Sequence, residues 1–323
     1  MLGPGQIAQD FVRSLPNSRA GVLHAVGSSN AQRASDFAEA HGAAVAGTSD
    51  EVLARDDVDA VYVATVHPAH ADLAIAALRA GKGVLCEKPL TPTLSETTRV
   101  IDAARETGRP LVEAYKNRFS PFARVLDEIV SDGEIGAPRR LTAEFGFRTL
   151  VRQGRLFDPA LAGGALLDVG CYPISLAVAV AAAAGIDPAD LRVTDVDGRI
   201  GPTGVDEHAT VTVAAGGFEA VLGTSIRKTL SRSIRLEGER GIVETADAWG
   251  SRTASASELQ VTGRSGLHAR SRIERPAVVD PFAAEADALA VALAEGRAEA
   301  PEMPWAHSLA IARLLDDAAA ALR

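Results

Sequence analysis

From Arg19 to about Gly108, short β-branched runs alternate with alanine-rich stretches of helical period, which is how βα units of a parallel sheet read. The apolar runs predict strands at Gly21 to Val26, Ala43 to Ala46, Ala60 to Ala64 and Gly83 to Cys86. Helices are expected between them, at Ala31 to His41, Ser49 to Ala54, His70 to Ala80 and Ser95 to Thr107. Ser95 precedes an acidic first turn and reads as an N-cap, while Gly108 and Pro110 mark a C-terminal stop. A strand from Pro110 to Ala114 and a helix from Pro121 to Val130 follow. Beyond Gly136 the chain changes to longer strands and sharp turns, at Arg140 to Phe147, Val205 to Val213, Phe218 to Ile226 and Ser233 to Glu237. Residues Ala209 to Val213 alternate with period two, as a half-solvated antiparallel strand should. One helical stretch, Gly164 to Ala184, interrupts these strands, and two more, Pro281 to Glu295 and Trp305 to Leu322, close the chain. The pattern predicts an α/β domain over 1–120 and an α+β domain over 121–323.

Length and composition narrow the class. A chain of 323 residues buries a large core without disulfides or metals, and 47% hydrophobic against 23% charged residues is an ordinary globular balance. No uncharged apolar run approaches the roughly 20 residues of a membrane span, so none is expected. The formal charge of -9, from 42 acidic and 33 basic side chains, argues against nucleic acid and anionic membranes as partners. Cys86 and Cys171 are too few and too far apart for a disulfide framework or a zinc site, and no export signal opens the chain. A reducing, cytoplasmic setting is the expectation.

Three motifs carry chemistry. Gly3-Pro4-Gly5-Gln6-Ile7-Ala8 fits G-x-G-x-x-A, a turn that brings backbone close to a pyrophosphate and sets it on the N–H groups of a helix start. A helical run and then a strand follow at the required spacing. That strand ends in Gly27-Ser28-Ser29-Asn30, with Arg33 one turn on and no carboxylate before Asp36. An acid there would repel a ribose 2′-phosphate; Ser28 and Arg33 would bind it, which favours NADP over NAD. The alternative is that Arg33 is a solvated helix residue. Thr65 and His70, after the strand ending at Ala64, are assigned to the cofactor loop; His67 with His70 resembles a metal spacing but lacks a third ligand. Glu87-Lys88-Pro89 follows a strand directly, which places Glu87 and Lys88 at the carboxyl edge of the sheet, where open α/β sheets bind ligands. Only Met1 and Leu2 precede the glycine turn, against the usual five or six residues of a strand. A truncated central strand, with a natural start upstream, is expected; the alternative is a sheet that tolerates the stub.

Together with Gly163-Gly164-Ala165-Leu166-Leu167-Asp168-Val169-Gly170-Cys171-Tyr172-Pro173, Arg109 to Tyr115, Arg118-Phe119, Pro121 and Glu302 to Ser308, these motifs make the chain resemble the glucose-fructose oxidoreductase / inositol dehydrogenase (Gfo/Idh/MocA) family nearly end to end. The resemblance implies a Rossmann dinucleotide-binding domain, then a domain with an open, mostly antiparallel sheet, and oxidation or reduction of a sugar-like or dihydrodiol substrate. It implies that Lys88 and Asp168 line the substrate site, and a homodimer or homotetramer built on the second-domain sheet. Many members carry histidine four residues after the aspartate; Tyr172 stands there, similar to the dimeric dihydrodiol dehydrogenase and glucose-fructose oxidoreductase branches, where tyrosine exchanges the proton. A lysine ammonium about 4 Å from a phenol is worth roughly 4 kcal/mol at an effective dielectric of about 20, some three pKa units, which brings a phenol of pKa about 10 near working pH. Asp168 is then expected to orient either the lysine or the substrate. Helix capping by Asp168 and Tyr172 is the plainer alternative. Cys86 and Cys171 read as buried small hydrophobes. Tyr115, Lys116 and Arg118 are candidates of lower rank at the domain junction, as are Arg148, Arg152 and Arg155 in the loop before the glycine pair. A non-catalytic cofactor-binding sensor, and a lyase, epimerase or glycosidase that uses the nicotinamide transiently, are the competing functions.

Overall fold

The computed structural model describes residues 1–250, 258–263, 269–271 and 280–323. It divides into two compact units, Met1–Phe119 with Val279–Ser308, and Ser120–Val278 with Leu309–Arg323. The sequence pattern runs the second domain unbroken to the C-terminus, whereas Val279–Ser308 groups with the first unit.

The first unit contains α1 (Gln6–Ser14), β1 (Ala25–Gly27), α2 (Ala31–His41), β2 (Val45–Gly47), α3 (Ser49–Leu53), β3 (Ala60–Val63), α4 (His70–Arg79), β4 (Gly83–Glu87), α5 (Leu94–Thr107) and β5 (Leu111–Ala114). β1 pairs with β2, and β3 with β4 and then β5, all parallel. The two groups meet at Leu2, which bridges in parallel to both Gly27 and Val63. The Leu2 and Gly27 amides donate to Tyr62 and Met1, and the Ala64 and Gly3 amides donate to Leu2 and Gly27, all within 3.0 Å. Met1 to Gly3 thus occupy the position of a first strand, giving the 3-2-1-4-5-6 order of a Rossmann sheet. Thr93, in extended conformation, caps α5 by accepting from the Glu96 amide; Ser95, expected as the cap, lies inside the helix.

Two further helices are α6 (Pro121–Ser131) and α7 (Cys171–Ala183), both in the second unit. Its sheet is built from β6 (Pro138–Gly146), β7 (Arg192–Ile200), β8 (Asp206–Ala215), β9 (Phe218–Ser225), β10 (Ile234–Gly238), β11 (Gly241–Thr245), β12 (Gln260–Gly263) and β13 (Ala269–Ser271), in the order β13-β12-β11-β10-β6-β9-β8-β7. Every pair is antiparallel except β6 with β9. α7 lies against β6 and β9. The stretch Pro159–Ala183 is apolar enough by composition to cross a bilayer, contrary to expectation, but 83% of its most apolar window is buried in the protein, as befits a core helix.

The last two helices are α8 (Pro281–Glu295) and α9 (Trp305–Ala321). α8 explains why its segment joins the first unit. Phe282 meets the Phe11 ring edge-on, Phe11 stacks on Tyr62, and Leu293 fills the space a Cβ on Gly83 would take, at 3.1 Å. Leu111 donates its amide to Ala298 and accepts from the Trp305 indole at 3.0 Å.

Around β4 and β5 the core is polar. Glu113 is 4% exposed; its Oε1 accepts from the Leu90 amide at 2.7 Å, and Ser308 also donates to it. Burial outweighs these hydrogen bonds and raises its pKa from 4.5 to about 7. The native protein therefore holds a proton that the unfolded chain releases above about pH 4.5. Stability is greatest below that pH and falls as pH rises toward 7, by up to about 3 kcal/mol from this group.

In the second unit the expected helix from Gly164 instead begins as a π-helical turn, Leu166–Gly170, before α7. Asp206 sets this turn, accepting from the Leu166 amide at 2.7 Å, and burial of its carboxyl raises its pKa. Only glycine at 164 allows it: the residue has φ 119°, and a Cβ there would lie 2.0 Å from Asp206 Oδ1.

Two outcomes are expected. Denaturant unfolding between pH 5 and 8 should show wild-type stability falling with pH relative to Glu113→Gln, which keeps an acceptor for Leu90; parallel curves would contradict the assigned titration. Gly164→Ala should cost roughly 2–4 kcal/mol, against about 1 kcal/mol for Gly185→Ala, where φ is also positive but no atom lies within 4 Å.

Candidate active site

The glycine turn is built to receive an anion. Gly3, at φ 92°, packs so closely on Thr65 that a Cβ would meet its Cγ2 at 2.6 Å and the Ala64 carbonyl at 2.9 Å. Gly5 is open, its nearest neighbour at 3.9 Å, and as N-cap of α1 it offers no side-chain acceptor. The first-turn amides, Gln6 and Ile7 among them, are left for a ligand, as the pyrophosphate of a dinucleotide requires. At the other end of the crevice Asn30 caps α2 by accepting from the Arg33 amide, and Ser28 Oγ accepts from the Asn30 amide. The exposed Arg33 guanidinium donates to the Pro4 carbonyl at 3.2 Å, so it lies over the glycine turn. Asp36, the nearest acid in sequence, accepts from Gln32. The residues present fit a dinucleotide.

His70 ties this crevice to the E-K-P turn. Its Nδ1 is 3.1 Å from the Pro89 carbonyl and its Nε2 is 3.2 Å from that of Thr65, and burial lowers its pKa against the opposing pull of these carbonyls. Lys88 is half-buried at the end of β4, and its peptide bond to Pro89 is cis. Glu87 turns inward: it accepts from the Tyr62 hydroxyl at 2.6 Å and from the Lys88 amide at 3.2 Å. Burial raises the Glu87 pKa, opposed by Lys88 and the Tyr62 hydrogen bond. Glu285 of α8 is fully buried nearby, neither of its oxygens has a hydrogen-bond partner among the described residues, and burial and the charge of Glu87 push its pKa well up. Gly3, Thr65, His70, Glu87 and Lys88 are thus brought together at one sheet edge.

In the second unit Asp168 sits in the π turn and Tyr172 in the first turn of α7. Tyr172 is 7% exposed, edge-on to Phe145 at 5.4 Å and tilted against Trp249 at 6.1 Å; Phe145 and Trp249 stack, and the Trp249 indole donates to the Glu144 carbonyl. Asp168 Oδ1 accepts from Arg155 at 2.8 Å, a partner the motif does not announce. Cys86 and Cys171 are buried; burial, then the charges of Glu113 and Glu87, hold the Cys86 thiol protonated. Arg118 reaches the Glu302 carbonyl and His307, whose pKa falls to about 4 through burial and that cation.

Motif reading missed Tyr62, Glu113, Asp206, Glu207, Glu285, Phe145 and Trp249. Tyr62 and Glu285 sit in ordinary strand and helix patterns and carry no local signal. The Gly163-Gly164 pair signals a close approach but not to which residue.

Residues 1–115 match the model of an oxidoreductase family with an NAD-binding Rossmann fold, and residues 123–244 match the Gfo/Idh/MocA C-terminal domain. The chain is 31% identical over 328 residues to trans-1,2-dihydrobenzene-1,2-diol dehydrogenase of Xenopus tropicalis, covering 97% of this chain and 94% of that one. It is 32% identical to scyllo-inositol 2-dehydrogenase (NADP(+)) of Bacillus subtilis, over 98% and 94% of the two chains. Among solved structures it superposes, with a TM-score of 0.83 and 28% identity over 98% of this chain and 94% of the other, on KijD10, a 3-ketoreductase from Actinomadura kijaniata in complex with NADP and TDP-benzene. With both family domains matched in order and relatives above 30% identity aligned over nearly their whole length, the chain belongs to the Gfo/Idh/MocA oxidoreductase family.

Proposed function

We propose that the protein is an NADP-dependent oxidoreductase that moves hydride between the nicotinamide and a carbon of a sugar-like or cyclic alcohol or its carbonyl form, with Lys88 and Tyr172 managing the proton. The observation that carries this reading is Lys88 at the carboxyl edge of β4, on a turn fixed by Glu87, Glu113 and His70 beside the open glycine turn. The dihydrodiol and inositol dehydrogenases among the relatives, and a ketoreductase solved with NADP, support it.

When bound, the nicotinamide supplies the hydride donor or acceptor, and the protein supplies alignment. The first-turn amides of α1 hold the pyrophosphate, and Arg33 holds the 2′-phosphate. Lys88 donates to the reacting oxygen, and Tyr172 Oη takes the proton in oxidation and returns it in reduction. Phe145 and Trp249 pack against the Tyr172 ring and shield it from water. Asp168 holds Arg155 toward the substrate.

Lys88→Ala and Tyr172→Phe should each lower turnover by about 10²- to 10⁴-fold with NADP affinity little changed. Turnover followed by nicotinamide absorbance is the measurement, and wild-type rates in either variant would remove these roles. Arg33→Ala should raise the KM for NADP by about tenfold or more while that for NAD moves little. An equal effect on both cofactors would make Arg33 a structural residue.

A further inference from the structure

Glu285 has no place in the chemistry above, yet the fold carries it to the E-K-P turn. In β4 the alternate residues Gly83, Leu85 and Glu87 share one face of the sheet. Leu293 covers Gly83, so that face is the one on which α8 packs. Tyr62 pairs with Leu85 and Ala114 with Glu87, which puts both on the same face. Phe282, Glu285 and Leu289 recur along α8 at helical spacing, and the two apolar members are buried in one cluster with Tyr62, Leu85 and Ala114. The C-terminal end of α8 lies where the strands begin, with Leu293 at Gly83 and the Ala298 carbonyl on the Leu111 amide, so helix and strands run in opposite directions. From Leu293 back to Glu285 is about 12 Å of helix, and from Gly83 on to Glu87 about 13 Å of strand. Glu285 therefore stands level with Glu87 in the layer between helix and sheet, fully buried, with no hydrogen-bond partner on either oxygen among the described residues.

The two acids are equipped differently. Glu87 receives the Tyr62 hydroxyl and the Lys88 amide, donors that favour a carboxylate, whereas Glu285 receives none. Neighbouring buried carboxyls disfavour a second like charge, so Glu87 carries the charge and Glu285 the proton, with Lys116 opposing. The other charged or titratable groups on the surrounding elements are Tyr62, Lys88, Asp280 and Asp287, the Asp10–Arg13 pair of α1, and Cys86 and Glu113 on the opposite sheet face. We propose that Glu285 and Glu87 form a one-proton pair that matches the charge beneath Lys88 to the redox state of the cofactor. The inference rests on the oxidoreductase reading, which puts the nicotinamide beside Lys88. Glu87 offsets the lysine throughout. The oxidised nicotinamide ring adds a second cation, whereas the reduced ring is neutral. With oxidised cofactor bound, the O–H bond of Glu285 breaks, its proton goes to solvent and its carboxylate offsets the ring; with NADPH bound, Glu285 keeps the proton. No electron moves in this step.

The test is calorimetry of oxidised NADP and of NADPH binding to the full chain, in pairs of buffers that differ in heat of ionisation, which counts the protons released. Wild-type protein should release more protons with oxidised NADP than with NADPH. Its preference for the oxidised form should rise with pH by up to about tenfold per unit. In Glu285→Gln and Glu285→Leu the difference in proton release should vanish and the preference should stay flat with pH, while both cofactors still bind. A second measurement needs no variant: the infrared carbonyl stretch of a protonated carboxyl, shifted by deuterium, should weaken when oxidised NADP is added and hold when NADPH is added. Equal proton release for the two cofactors, an unchanged stretch, or a difference that persists in both variants overturns the inference and leaves the oxidoreductase reading intact. Failure of both cofactors to bind overturns that reading and this role together.

Discussion

The first unit hangs on a two-sided backbone ladder at its N-terminus. Met1 to Gly3 make five hydrogen bonds to the flanking strands, three on the β1 side and two on the β3 side, and Leu2 is fully buried between them. Without that position the sheet would be a two-stranded parallel pair beside a three-stranded one, and a parallel pair of three-residue strands has little stability of its own. The same position is where strand order reverses, so the crevice that receives a dinucleotide opens there. Gly3 packs on Thr65 because both leave the sheet at this point. Sheet closure and cofactor geometry are one constraint.

The E-K-P turn is held by groups that weaken the fold. Glu87, Glu113 and Glu285 are all buried, and burial raises the pKa of each. Two of them do positional work on the turn: Glu113 accepts from the Leu90 amide just beyond Pro89, and Glu87 accepts from the Lys88 amide while Tyr62 holds its other oxygen. An apolar core here would be more stable but would leave Lys88 on an unsupported loop. Sites that give up stability to fix a functional side chain are a common compromise.

Much of this was legible in the chain. The βα pattern gave the strands and helices of the first unit to within a few residues, because β-branched runs and alanine-rich helices are strong local signals there. β7 was not foreseen: Arg192–Ile200 carries Thr194, Asp195, Asp197 and Arg199, and such charge is how an edge strand avoids pairing with another chain, which hides its period. The π turn was read as ordinary helix, because what imposes it is Asp206, 40 residues from Leu166. In β11 the adjacent Ile242 and Val243 break the apolar–polar alternation that would have marked a strand. Grouping of α8 with the first unit was likewise invisible, since it depends on Phe282 meeting Phe11 and Leu293 meeting Gly83. Within the site, backbone-driven features such as the glycine turn were readable, and the side-chain partners Tyr62, Glu113, Glu207 and Glu285 were not.

One piece of backbone in the second unit sets both halves of its site. Successive residues of a strand point to opposite sides, and at the start of β8 those residues are Asp206 and Glu207. Asp206 reaches the Leu166 amide and so sets the turn that carries Asp168 and leads into Tyr172. Glu207 reaches Arg152 in the loop that also carries Arg155. A slip of one residue in the pairing of β8 with β7 would exchange the sides to which the two carboxylates point, taking the acceptor from the π turn and the anchor from the arginine loop together. Gly164 and the irregular pairing beside Ile200 and Asp206 are what allow the close approach on one side and the change of direction on the other. The turn that carries Asp168 and leads into Tyr172, and the loop that carries Arg152, are therefore positioned from a common origin on a sheet strand, which is stiffer than either of the segments it organises.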